Sequence, residues 1–362
     1  MRKLASVQTI TALYPIPNKD RIVLAQIQGW QVIVKSSEFS VGDKCVFFEI
    51  DSFLPILPQY EFLGKNTTFE NNPGYRIKTM KMAGVVSQGL ALPLSMFNLQ
   101  DLPEDTDLTD QLGITKYDRT TIQERTMKVG KARGNFPSFI PKTDQTRLQS
   151  LMSYFDIHKD TVFEETLKLD GSSLTAYKVQ APTPWYKRIF GITSQPHFGV
   201  CSRNVDLART ADKVMHFDND GKTSTYDQSD FWSAAYKYDL ESKIPVGYAV
   251  QGELIGPKIQ SNWEKVHSLE FYCFDIYNII EQRYLTASER TDFCSLYKIP
   301  HVPVTYTGPI FQECPSIEAF LARVDTESMN PGTISEGRVY KSTHNPNITF
   351  KCINNKYLLK EH

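Results

Sequence analysis

Lys168 opens a Lys-Leu-Asp-Gly segment, and three further runs follow it at long intervals. GYAVQGELIGP carries Glu253, TISEGRVYKS carries Glu336, and TFKCINNKYLLK carries Lys351 and Lys356. A lysine amine attacks phosphorus, and carboxylates such as Asp170, Glu253 and Glu336 hold the hydrated divalent cation that neutralises phosphate charge. Lysine is almost wholly protonated at neutral pH, with a reference pKa of ~10.4. A nucleophilic Lys168 must therefore lose its proton before or during attack. A nearby cation assists by disfavouring the ammonium and by offsetting charge that develops on the α-phosphate. Mg²⁺ keeps several waters, so the carboxylates are expected to reach it largely through water.

The elements that must position these groups read as strands. Lys-Leu-Asp-Gly alone is a common turn. In EETLKLDGSSLTAY, alternating stretches flank it, which predicts two strands joined by a tight turn with Lys168 at a strand end. Glu253 and Glu336 each lie in a short apolar run beside a glycine, and a buried carboxylate requires a partner or a metal. Upstream, RIVLAQIQ, WQVIVK, DKCVFFEI and SQGLALPL alternate apolar and polar positions between Gly, Asp, Ser or Pro, as in a small closed barrel. Residues 121–143 lose that periodicity and gather Arg125, Lys128, Lys131 and Arg133, which predicts a basic linker. SDFWSAAYKYDLESK and SIEAFLARVDTES carry helical periodicity.

Taken together, KLDG, CSRN, QGELIG, FYCFDI, SEGRVY and TFKCINNKYLLK resemble, in order, motifs I, Ia, III, IIIa, IV and V of the covalent nucleotidyltransferases: RNA ligases, DNA ligases and mRNA capping enzymes. The resemblance is to RNA ligases of the Deinococcus and Naegleria type, which carry an OB-type barrel ahead of the catalytic domain. It extends more loosely upstream through GYRIKTMKMAGVVSQGLALPL and PKTDQTRLQ. It implies an α+β chain: an OB-type β-barrel over 1–120, the linker over 121–143, and a nucleotidyltransferase domain of antiparallel sheets flanked by helices over 144–362.

The resemblance also implies residue roles. Lys168 is the nucleophile. Arg203 of CSRN clamps ribose or phosphate, and Arg147 reaches the distal phosphates. Phe274 stacks on the base with Val339 on its other face, Glu253 and Glu336 serve nucleotide and metal, and Lys351 and Lys356 contact the α-phosphate. Two departures matter: Ile353 stands where some relatives carry a second motif V lysine, and Ser173 where another branch has Asn. DNA ligases and capping enzymes usually continue into a further OB domain after motif V, which favours RNA ligation here. The implied activity is ATP-dependent joining of RNA 3′-hydroxyl and 5′-phosphate ends with Mg²⁺ or Mn²⁺. The alternatives are a GTP-dependent guanylyltransferase or a non-catalytic polynucleotide-binding protein.

Composition permits this reading. The 362 residues suffice for two domains. Forty Lys plus Arg against 41 Asp plus Glu leave a net charge of -1, so any RNA surface must be local. Arg76, Lys78 and Lys81 beside Tyr75 are the barrel's candidate, as stacking and phosphate contacts are what such surfaces use. The six cysteines are scattered without a Cys-x-x-Cys pair, as expected of free thiols in a reducing compartment. The N-terminus shows no long apolar run, so a soluble cytoplasmic monomer without membrane contact is expected. Asp218 to Gly221 reads as a turn rather than a calcium loop, and the histidines form no hydrolytic constellation.

Overall fold

The computed structural model describes residues 2–100, 102–118, 130–183, 189, 194–209, 216–217, 223–224 and 229–360. Arg125 and Lys128 of the expected linker, and the Asp218 turn, lie outside the described residues.

In the N-terminal half, the expected strands form at Lys19–Ile27, Trp30–Lys35 and Lys44–Phe48. The fourth divides in two, Val85–Gln88 and Leu90–Pro93, because Gly89 sits between them at φ +109°, a conformation that favours glycine. Backbone pairing among the described residues does not close a barrel. Four separate sheets form instead, three of which share one core built on Trp30, Phe47, Phe48 and Tyr60. At one gap a side chain replaces the ladder, since the Ile33 amide donates to Ser87 Oγ at 3.0 Å.

The C-terminal half has two large antiparallel sheets, besides a two-stranded one of His216–Phe217 and Thr223–Ser224. One has four strands in the order Val304–Gly308, Phe163–Lys168, Gly337–Ser342, Thr349–Ile353. The other has seven: Ala132–Asn135, Val205–Leu207, His197–Cys201, Ser172–Val179, Tyr248–Ile255, Glu270–Asn278 and Arg283–Tyr284. The Ala132–Asn135 strand corrects the linker reading in part: every residue of it is exposed, so it has no alternation to detect, and it gains order by pairing with Val205–Leu207. Helix Asp230–Lys237 buries Phe231 and Trp232 against the larger sheet. Helix Ile317–Val324, capped by Ser316 Oγ, packs Phe320 on the smaller one, where Tyr340 and Phe350 stack at 4.6 Å.

The two halves are docked rather than strung apart. The Gly29 amide donates to the Gln149 carbonyl at 2.9 Å, Trp30 Nε1 to Ser150 Oγ at 3.0 Å, and Ser150 Oγ to Glu49 Oε1 at 2.6 Å. Ile353, Tyr357 and Leu358 from the C-terminal strand and helix complete the N-terminal core. A Cβ on Gly29 would stand 2.8 Å from the Gln149 Cα and 3.0 Å from its carbonyl oxygen, both backbone atoms. Gly29→Ala should therefore destabilise the chain by about 1–3 kcal/mol, the usual range for overpacking. Denaturant unfolding checks this, and unchanged stability would contradict the docked arrangement.

Candidate active site

Register brings the distant motifs together. Lys168, at the end of its strand, lies opposite Gly337, so Glu336 is the next residue along on the neighbouring strand. Val339 lies opposite Lys351, and Ser173 opposite Glu253. The turn between Lys168 and Ser172 passes so near the larger sheet that a Cβ on Gly171 would meet the Leu254 carbonyl at 2.3 Å. Only glycine fits that approach, which accounts for its place after Asp170.

Lys168 Nζ donates to Glu336 Oε1 at 2.5 Å, its side chain 27% exposed. Burial disfavours the ammonium, but Glu336, Glu253 and Asp170 outweigh it and hold Lys168 above the ordinary lysine value. Glu253 is raised as well, but here the neutral form gains. Burial pushes it up to about 8 against the pull of Lys168, with Glu336 and Asp170 adding to the rise. A cleft of about 720 Å³ contains all four groups together with Arg147, Arg203 and Lys351.

A smaller pocket of about 110 Å³ opens beside Lys168. Phe274 and Val339 both line it, with Leu169 and Val302 and with the charged Asp144, Arg203, Glu253, Lys341 and Lys351, so the two residues assigned to the base face one pocket of mixed character. Lys341 was not among the expected site residues. Its Nζ donates to the Phe274 carbonyl at 2.6 Å and pairs with Asp275 Oδ1 at 2.7 Å, fixing the ring's strand from beneath. Its signal was its place directly after SEGRVY.

The N-terminal half supplies part of the cleft wall through Arg2, Asp51, Arg76, Lys116 and Tyr117. Asp51 Oδ2 accepts from Arg147 Nη2 at 3.2 Å, and Asp51 Oδ1 from Arg76 Nη2 at 3.0 Å. Burial alone would raise the Asp51 carboxyl, yet Arg147, Arg2 and Arg76 together hold it below the usual carboxylate range. Arg76 also lies over the Tyr117 ring at 4.4 Å. Arg2, Asp51 and Lys116 come from three separated segments and carry no local motif.

The structure separates some of the residues grouped by sequence: Arg76 lines the cleft, while Lys78 and Lys81 are exposed and line neither cavity. Lys356, on the helix Asn355–Lys360, is 63% exposed, pairs with Asp325 at 2.7 Å and also lines neither cavity. Lys351 and Lys360 both line the cleft. Among the described residues, no three His, Cys, Asp or Glu converge to hold a metal ion directly. The oxygen donors of Asp170, Glu253 and Glu336, around a Glu253 whose charge is unfavourable as it stands, fit a hydrated hard cation.

A half-buried lysine beside three carboxylates and a small pocket, set on two antiparallel sheets, defines a covalent nucleotidyltransferase. Comparison sharpens the class. An OB-fold domain model matches residues 4–94, and an RNA ligase model matches residues 161–356. The whole chain is similar to solved structures of Naegleria gruberi RNA ligase. One, with ATP and Mn, is 33% identical with a TM-score of 0.83, covering 100% of this chain and 99% of that one. Another, with AMP and Mn, has the same identity, TM-score and coverage. A third, with PPi, is 34% identical with a TM-score of 0.83, covering 99% of each chain. Comparison with curated proteins finds no match. The chain belongs to the RNA ligase family.

The raised Glu253 makes a stability prediction. Its folded pKa exceeds the unfolded value, so the folded state binds the extra proton between about 4.5 and about 8, and stability falls as pH rises through that window. Glu253→Gln removes this loss. Its advantage in melting temperature over wild type, without metal or nucleotide, should widen from pH 5 to pH 8. A constant difference across that range would contradict the assignment.

Proposed function

We propose that this chain is an ATP-dependent ligase that seals RNA 3′-hydroxyl and 5′-phosphate ends. The observation that carries the reading is the Lys168–Glu336 pair at 2.5 Å, set between the base slot and the cationic cleft. Adenine enters between Phe274 and Val339, placing the α-phosphate against Lys168 and Lys351, where Lys351 also helps the leaving group depart, and the distal phosphates towards Arg147. The Lys168 amine, freed of its proton, forms a P–N bond as the bond to pyrophosphate breaks. The 5′-phosphate of RNA then attacks that phosphorus, the P–N bond breaks, and Lys168 regains a proton. Finally the 3′-hydroxyl attacks the adenylylated end and AMP leaves.

Asp170, Glu253 and Glu336 would hold Mg²⁺ or Mn²⁺ through water, and that ion would supply charge neutralisation at the α-phosphate. Glu336 keeps Lys168 aimed while it is an ammonium, and Arg203 steadies ribose or phosphate. We assign residues 1–120 to positioning RNA and completing the cleft, 121–143 to the connection, and 144–362 to chemistry. Both cleft walls come from a single chain, which supports a monomer. Among the described residues, no helix is long and apolar enough to cross a membrane. Six unpaired, buried cysteines support a reducing, cytoplasmic setting.

Incubation with α-labelled ATP and a divalent cation should label the protein, and Lys168→Ala should abolish the acid-stable adduct. Label from GTP instead of ATP, or undiminished label on the variant, would overturn the reading. Alanine at Asp170, Glu253 or Glu336 should slow adenylylation by on the order of 10- to 100-fold, as loss of an outer-shell metal contact does. Rates within about twofold for all three would leave the carboxylates without a metal role.

A further inference from the structure

Asp144 lies where the two halves meet, and its carboxylate is shared among three cations from three elements. Oδ1 accepts from Lys351 Nζ at 3.0 Å, and Oδ2 from Lys116 Nζ at 2.6 Å. Arg203 Nη2 is 4.0 Å from Oδ2. The backbone sets this placement. The Lys351 amide donates to the Thr146 carbonyl at 2.9 Å, and Arg147 bridges Lys351 in parallel, so the Thr143-Asp144-Gln145-Thr146 segment runs beside the motif V strand. Burial would raise the Asp144 carboxyl, but Lys351, Lys116 and Arg203 hold it far below the usual carboxylate range. It is therefore an anion throughout neutral pH.

Lys351 is in the opposite position. Its side chain is only 12% exposed. Burial pushes its pKa down to about 7; Arg147, Lys168 and Arg2 press the same way, and Asp144 is the group that opposes them. An ammonium at this point draws the departing pyrophosphate, whereas a neutral amine does not.

We infer that Asp144 is a positioning residue for adenylylation, keeping Lys351 charged and aimed into the cleft and fixing it to the N-terminal half through Lys116. The inference rests on the proposed role of Lys351 in nucleotide transfer. It assigns the PKTDQTR segment a second task besides carrying Arg147: supplying the counter-ion without which the motif V lysine loses its charge near neutrality. No other carboxylate pairs with Lys351 among the described residues, so nothing nearby replaces Asp144.

The test is the pH dependence of kcat/KM for protein adenylylation by ATP in the full chain, which reports groups of the free enzyme. Wild type should lose activity as pH rises through the Lys351 value of about 7. In Asp144→Asn that falling limb should move to lower pH by about one unit or more, the scale of losing an adjacent opposite charge. Asp144→Glu, which keeps the charge, should restore it. A limb that stays in place in Asp144→Asn while the rate falls evenly at every pH would overturn the inference, because a merely structural residue would do that. Should Asp144→Asn not fold, the wild-type Lys351 resonance in lysine-labelled protein, assigned through Lys351→Arg, decides the matter: titration near 7 supports the inference, and titration at the ordinary lysine value overturns it. Wild-type protein that takes no label from ATP would instead sink the ligase reading itself.

Discussion

The structure depends on one electrostatic tension: a lysine that must become neutral to react is held charged until it does. The Glu336 contact at 2.5 Å, backed by Glu253 and Asp170, makes the ammonium the resting form of Lys168. Burial, with added repulsion from Glu336 and Asp170, raises the Glu253 pKa to about 8. A divalent cation relieves both strains, giving the carboxylates a partner and making the ammonium unfavourable. The resting site is thus poised for metal and nucleotide without exposing a free amine beforehand.

The fold serves that arrangement by register. Two antiparallel sheets meet so that the ends of four strands, carrying Lys168, Glu253, Glu336 and Lys351, converge on one cleft. The N-terminal half helps to build the site. Asp51 orients Arg147 and Arg76, Lys116 reaches Asp144, and Tyr357 and Leu358 of the catalytic half pack in the N-terminal core. A catalytic half taken alone would therefore leave Arg147 and Lys351 with fewer contacts to hold them.

Much of the site was legible because its chemistry is local. Lys168, Asp170, Glu253 and Glu336 announce themselves as charges in strand-like runs beside glycine and line one cleft, while Phe274 and Val339 line one small pocket with Lys168. What escaped was set by tertiary contacts. Arg2, Asp51 and Lys116 converge from segments with no shared pattern. Lys356 and Lys360 differ only in where they fall on one short helix, which composition does not reveal. The Ala132–Asn135 strand is exposed throughout, and the expected barrel divides where Gly89 takes a left-handed turn.

The most direct measurement is the titration of Lys168 by NMR in protein labelled at lysine side chains, with its resonance assigned through Lys168→Arg. In the enzyme free of metal and nucleotide, Lys168 should titrate above the ordinary lysine value of ~10.4. With Mg²⁺ and a non-hydrolysable ATP analogue, it should fall well below that value. A Lys168 that titrates low in the free enzyme, or whose titration does not move when both are bound, would contradict the account.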